Sequence, residues 1–304
     1  MKNVLFLYAI TMLVATISFA QQGKQSLSDS LREAGKLQEA IAEYAKIYKS
    51  DSENTTNTYN YACALALDWQ IDSAFHYLNI ATEKDTSVRP LTDPDFIFLI
   101  EDPRWTTFED RQVEKVEAKF GQYEILELSK ELWNMRLKDQ AYYYHIQVAE
   151  KQLGYGSPVT RALWKLKEKI NDENVKRLEE IIAEHGYPKE SVVKGSAAGA
   201  AFLIIQHADI EIQKEYLPMM KEAADSGEAS WSQLALLIDR VNLREGMEQV
   251  YGSQIYRNED GTFYVKDLKD PEYVNQRRKE VGLGPIQDYV SRWGIEWTIE
   301  QKEK

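Results

Sequence analysis

Residues 35–47, GKLQEAIAEYAKI, and residues 69–81, WQIDSAFHYLNIA, align at a spacing of 34. Gly35, Ala40, Ile41, Tyr44 and Ile47 meet Trp69, Ala74, Phe75, Leu78 and Ala81 in turn. Apolar positions within each stretch recur at three and four residues, the period of a helix with one buried face. A small Ala beside a large apolar residue suits two helices that approach closely. A supersecondary unit repeated at a fixed period buries its face only by stacking on its neighbours. The reading is therefore a mainly α protein with a helical-repeat N-terminal region.

This period and its Ala/large-apolar signature resemble the tetratricopeptide helix–turn–helix repeat. Trp69 stands where that turn usually has Gly, and the proline often found at the repeat end is missing. Ala62 takes the small-residue position of the second unit's first helix. About three units are normally needed for stability. A divergent third unit is expected in 90–117, where Asp93 can cap a helix starting at Pro94 and holding Leu99-Ile100, and 102–105 begins the next. The resemblance implies a protein or peptide partner; a plain packing module is the alternative.

Upstream, Lys2 precedes an uncharged apolar run from Val4 to Ile17, and Ser18-Phe19-Ala20 offers a small-x-small cleavage site. That is the layout of a signal peptide over 1–20. The run is shorter than the roughly 20 residues that span a bilayer. The chain is thus expected to be exported, to the periplasm rather than the medium, with no stable membrane insertion after cleavage. Its formal charge of −12 argues against nucleic acid. The single cysteine, Cys63, cannot form an internal disulfide and reads as a buried inert thiol. The division expected is 1–20 signal peptide, 21–117 repeats and 118–304 a mostly helical domain with a small β-hairpin.

In that last part a helical stretch is expected over 113–153, broken at 154–158. Asn171 can cap a helix over 172–185, stopped by Gly186 and Pro188. The Gly/Ala-rich 195–200 leads into a helix over 201–213. There Gln206, Asp209 and Gln213 form a polar row beside His207. Close packing fits the small residues better than anion binding does. Ser230 caps the helix that carries Asp239-Arg240 in its last turn. Asp there opposes the dipole and needs a partner, either an internal Arg or a ligand. Gly252 permits an unusual backbone angle in the polar run 249–254. Residues 254–257 and 262–266 alternate like strands joined by Asn258-Glu259-Asp260-Gly261. Two final helices begin at 270–271 and at Pro285, the first ending at Gly282.

His207-Ala208-Asp209 with Gln213, then Asp239-Arg240, Gln249-x-Tyr251-Gly252-x-Gln254, Asn275-x-Arg277-Arg278 and Gly282-Leu283 resemble a bacterial domain-of-unknown-function family. The resemblance covers about 160–294 and can be traced back to Asp139-Gln140. It implies a mainly helical domain with this motif set and no established activity. Ser253 stands where threonine is expected.

Read as chemistry, the polar set is expected to converge on one cleft, because polar groups beside apolar stripes are costly without partners. A peptide or small polar ligand would meet Asp209, Arg240, Gln249, Tyr251, Gln254 and Arg277. The alternative is a hydrolase with His207 as acid/base and Asp209 or Asp239 orienting it. A third alternative has every polar group satisfied internally. No Gly-x-Ser-x-Gly elbow is present and Ser253 is only a nominal nucleophile. Histidines at 76, 145, 185 and 207 have no metal-ligand spacing, and no cofactor motif occurs.

Overall fold

The computed structural model describes residues 26–258 and 260–303. The signal-peptide reading of 1–20 lies outside the described residues. The chain is mainly helical with one two-stranded antiparallel sheet. The described residues divide into two compact units, 26–204 and 205–303.

The first unit opens with helix pairs: α1 Leu27–Glu33 with α2 Leu37–Ser50, and α3 Thr55–Leu67 with α4 Ile71–Ala81. Ser26 and Asn54 cap α1 and α3 by accepting from the main-chain N–H three residues on. The turns between the helices of each pair are alike. Gly35 donates to Arg32 and Lys36 to Leu31; 34 residues later Trp69 donates to Ala66 and Gln70 to Leu65. This closure requires a left-handed residue. Gly35 has φ +75°, and Trp69 adopts φ +61° against a cost of about 1–2 kcal/mol for a side chain there. The Trp69 ring lies 4.6 Å from that of Phe98. Ala40, Ala62, Ala74 and Leu78 are fully buried, so small and large positions interleave as the spacing requires.

The third stretch departs from expectation. Residues 90–117 hold a short α5, Arg89–Thr92, a 3-10 turn, Pro94–Phe96, and α6, Arg104–Phe120. Asp93 does cap, accepting from Asp95 N–H at 3.1 Å. The helix it starts lasts one turn and leaves out Leu99-Ile100, which lie in the turns that follow it.

The stretch expected over 113–153 is three helices: α6, α7 Leu126–Gln140 and α8 Tyr143–Leu153. Gly121 (φ +83°) ends the first. Tyr142, at φ +70°, separates the other two without Gly or Pro to announce it. α9 is a single helix, Pro158–His185, capped by Ser157 and ended by Gly186. Asn171 lies inside it and caps nothing, because the helix already has its start at Ser157-Pro158. A short α10, Glu190–Val193, precedes α11, Gly195–His207. The Gly/Ala run is the start of α11, and Ala197, Ala200 and Ala201 are fully buried. The Glu190 carboxylate accepts from the Gly195 N–H at 2.7 Å.

In the second unit α12, Ile210–Asp225, packs on α13, Trp231–Arg244. Ser230 caps α13 through the Gln233 N–H. β1, Ile255–Arg257, pairs antiparallel with β2, Phe263–Val265, in the register Ile255↔Val265. α14, Val274–Glu280, and α15, Ile286–Val290, follow. Val274, Ile286 and Val290 form a small core covered by Ile255, Val265, Leu268 and Trp297.

Packing thus divides the chain at 204/205, inside α11, and not at the expected 117/118 boundary. The reason is that α7 packs on α5 and on the 94–96 turn, tying the later helices to the earlier ones. No helix among the described residues is long and apolar enough to cross a membrane.

Candidate functional site

α13 continues past Arg240 to Arg244, so Asp239 sits more than a turn before the helix end. It is fully buried and faces the 249–254 loop. One carboxylate oxygen accepts from Val250 N–H at 2.6 Å and Tyr251 N–H at 2.9 Å; the other accepts from Ser253 N–H at 2.8 Å. Gly252, at φ +66°, turns the loop around the carboxylate. An added Cβ there would meet Ile286 Cδ1 at 3.0 Å. Burial raises the Asp239 carboxyl above its ordinary range, and the backbone donors pull the other way. Because only donors approach its oxygens, the group acts as a carboxylate anchor. Main-chain N–H groups supply the compensating partner that the sequence demanded.

The rest of the loop is held in the same manner. Gln249 donates to the carbonyls of Gln254 and Lys266, at 3.1 and 2.6 Å, and accepts from Gln254 N–H at 2.7 Å. Gln254 donates to Leu236 C=O at 3.2 Å and to the Ser253 hydroxyl at 3.0 Å. Arg277 donates to Val250 C=O at 2.7 Å, Arg278 to Tyr251 C=O at 2.8 Å, and the Tyr289 hydroxyl to Ser253 C=O at 2.6 Å. Buried main-chain groups must be paired, and here the motif side chains pair them. Asn275 accepts from Ile286 N–H at 2.7 Å and so positions the start of α15.

A second knot closes the end of α11. The helix stops at His207, not 213, because its last carbonyls are answered from elsewhere. Gln213 donates to Gln206 C=O and Ala208 C=O, both at 2.9 Å, and Arg240 donates to Gln206 C=O at 2.7 Å. Gln206 and Gln213 therefore meet across two helices rather than along one. His207 is half-buried at the last position of α11, and Asp209 is exposed where α12 begins.

The expected site is thus sorted into parts. Asp239, Gln249, Gln254 and Arg277 converge on one loop, to which Tyr251 contributes its main chain. Arg240 turns instead to the end of α11, which His207 and Asp209 flank. Arg278 and Tyr289 belong to the loop network and were not among the expected site residues. An Arg at that place in a short helix carries no local sign that it will be buried.

The model of a Family of unknown function (DUF6624) matches residues 126–299, more than half of the chain. The chain belongs to this family. No curated protein and no solved structure matches it. The family span runs from the first residue of α7 through the loop network, and takes in a buried polar cluster on α7 and α9. There Lys167, fully buried, donates to Asp139 C=O and lies 4.7 Å from the Tyr143 ring. Asn174 donates to Met135 C=O at 3.1 Å. Burial pushes the Lys167 ammonium down. Lys165 and Lys169 flank it in sequence, and nothing local distinguishes the buried one.

Outside the family span, Cys63, Asp93 and Asp95 bring a sulfur and two carboxylates within 4.8 Å of one another. Burial pushes the thiol well up. Arg32 pairs with Asp95 at 3.1 Å, and Tyr59 donates to Asp93 at 2.8 Å. These partners occupy the carboxylates, and the guanidinium opposes a second cation. Burial, helped by the Asp95 charge, raises the Asp93 carboxyl to about 6. An acid raised in the folded state favours folding fully below its unfolded pKa, and that contribution is lost as pH rises through the folded value. Relative to Asp93→Asn, the wild-type thermal midpoint is therefore expected to fall between about pH 4 and 6. Parallel midpoint curves for the two proteins across that window would contradict this.

Proposed function

We propose that this is an exported, periplasmic binding protein whose tetratricopeptide-like helical region, α1 to α6, takes a protein or peptide partner. The observation that carries the reading is how the polar residues are used. Asp239, Gln249, Gln254, Arg277 and Arg278 spend their hydrogen bonds on the 249–254 main chain and its neighbours, where they build a loop rather than face a substrate. The hydrolase alternative with His207 loses Asp239 as its orienting acid and keeps only Asp209. A small polar ligand on the second unit would have His207, Asp209 and the half-buried Tyr251 side chain to meet it.

The experiment is photo-cross-linking in the native host, with benzoylphenylalanine placed at Phe120 or at Phe263. Both side chains are exposed, at 60% and 38%, one in each unit. A discrete cross-linked partner from position 120 and none from 263 is expected. The reverse pattern, or silence at both with His207-dependent turnover of a chromogenic ester or peptide, would discard the binding reading.

A further inference from the structure

α6 carries Arg111, Lys115 and Lys119 at intervals of four, and Lys84, three residues past the end of α4, shares a wall with the two lysines. They border two adjoining open surface clefts, of about 280 and 470 Å³, that share Glu83 and Lys115 in their walls. In a chain of formal charge −12, such a row is out of keeping with its surroundings. Its bonding is also unusual. Arg111 donates to the Asn79 amide oxygen at 2.6 Å, Lys115 to Thr82 C=O at 2.5 Å, and Lys119 to the Thr86 hydroxyl at 3.0 Å. All three partners are neutral. Arg104 and Lys130, on α6 and α7, pair with Asp72, Asp102 and Asp110 at 2.7 Å. The Asp85 charge acts on Lys115 through space, but its hydrogen bonds go to the Ser87 N–H and hydroxyl.

Gln112 lines the first cleft as well. It is fully buried, and its amide donates to Asp85 C=O and Ser87 C=O at 3.0 and 2.7 Å. Its Oε1 has no donor. A buried acceptor without a donor costs free energy that an arriving N–H would recover.

We propose that this α4–α6 groove binds an extended acidic peptide segment of a partner protein. Eight residues of helix place Arg111 and Lys119 about 12 Å apart, the length of roughly four extended residues. Alternate carboxylates would meet Arg111, Lys115 and Lys119, and a peptide N–H would meet Gln112. Glu83 and Glu114, also in the wall, disfavour an indiscriminate polyanion. The inference rests on the partner-binding reading and names its surface and chemistry. Burial lowers the Lys115 ammonium; the Asp85 and Glu83 charges oppose this shift and Arg111 adds to it.

The test is fluorescence anisotropy of the purified protein with a fluorescein-labelled peptide of alternating Glu and Ser. A Gln/Ser peptide and inorganic polyphosphate serve as comparisons. The Glu peptide is expected to bind, more weakly as salt rises, and the Gln peptide not to bind. Arg111→Gln with Lys115→Gln should weaken binding about tenfold or more, whereas Lys214→Gln, whose lysine pairs with Glu245, should leave it unchanged. Exposed Arg111→Gln alone, expected to fold, gives the same reading if the double variant does not. No binding of the Glu peptide, equal binding of the Gln peptide, undiminished binding by the variants, or polyphosphate binding in its place would each overturn the proposal. If Phe120 still captures a partner while the peptide fails, only the groove assignment falls. If the peptide binds and Phe120 captures nothing, the groove stands and the partner reading falls.

Discussion

Asp239→Ala is expected to cost the 205–303 unit about 3–5 kcal/mol, measured by urea unfolding. The loss is large because three donors depend on one carboxylate. Val250, Tyr251 and Ser253 N–H groups would be left pointing into a site that excludes water, and each unpaired buried group costs about 1–3 kcal/mol. Hydrogen exchange at these amides should rise with the loss of stability. Asp239→Asn is expected to fall between wild type and alanine. Its amide keeps one acceptor oxygen but sets an NH₂ against a backbone donor. An alanine variant within about 0.5 kcal/mol of wild type would mean that the carboxylate is held for chemistry rather than folding, and the catalytic role for Asp239 would return.

Arg278→Met should cost about 3 kcal/mol in the same assay. Arg278 is nearly wholly buried. Its guanidinium donates to Gly284 C=O at 2.6 Å and Tyr251 C=O at 2.8 Å, and lies 4.9 Å from the Tyr289 ring. Removal leaves the Gly284 and Tyr251 carbonyls without this donor. Arg278→Lys should recover only part of the loss, since a single ammonium cannot reproduce the fork. Arg277→Met should cost less, because Arg277 is half-exposed and water can replace its bonds to Lys269 and Asp270. Equal losses for the two arginines would argue against burial as the cause. Asp239 and Arg278 hold opposite sides of one peptide segment, Asp239 its N–H groups and Arg278 a carbonyl. The double variant should therefore cost less than the two single losses together.

Much of the helical order was legible because its determinants are local. Ser230 and Gly186 start and stop helices through bonds within a few residues, and the hairpin at 255–265 follows from alternation and Asp260-Gly261, whereas the start of α9 at Ser157-Pro158 reads in the sequence only as a break before a helix capped at Asn171. The repeated turn at Gly35 and Trp69 could be read in sequence even with tryptophan in the glycine's place. The spacing of the surrounding apolar positions demands a turn there whatever residue occupies it. That the later part of the chain is a domain of unknown function was legible too, though the family's span reaches back to residue 126.

The site was legible only as a set of residue types. That Asp239, Gln249, Gln254 and Arg277 belong together follows from their unusual polarity beside apolar stripes. What they do there depends on contacts across 5 to 27 positions of chain, which no local pattern records. The breaks at Tyr142 and Ala208 were likewise hidden. Neither carries a glycine or proline, and α11 ends at His207 because Arg240 and Gln213 answer its last carbonyls. By itself the sequence determined the helical class, the Ser230 cap and the hairpin, because short-range hydrogen bonding and periodicity encode them. Only the tertiary structure decided that the motif residues are turned inward on a loop and that Lys167 is buried between exposed lysines. Burial and pairing are properties of the neighbours that folding brings, not of the residues themselves.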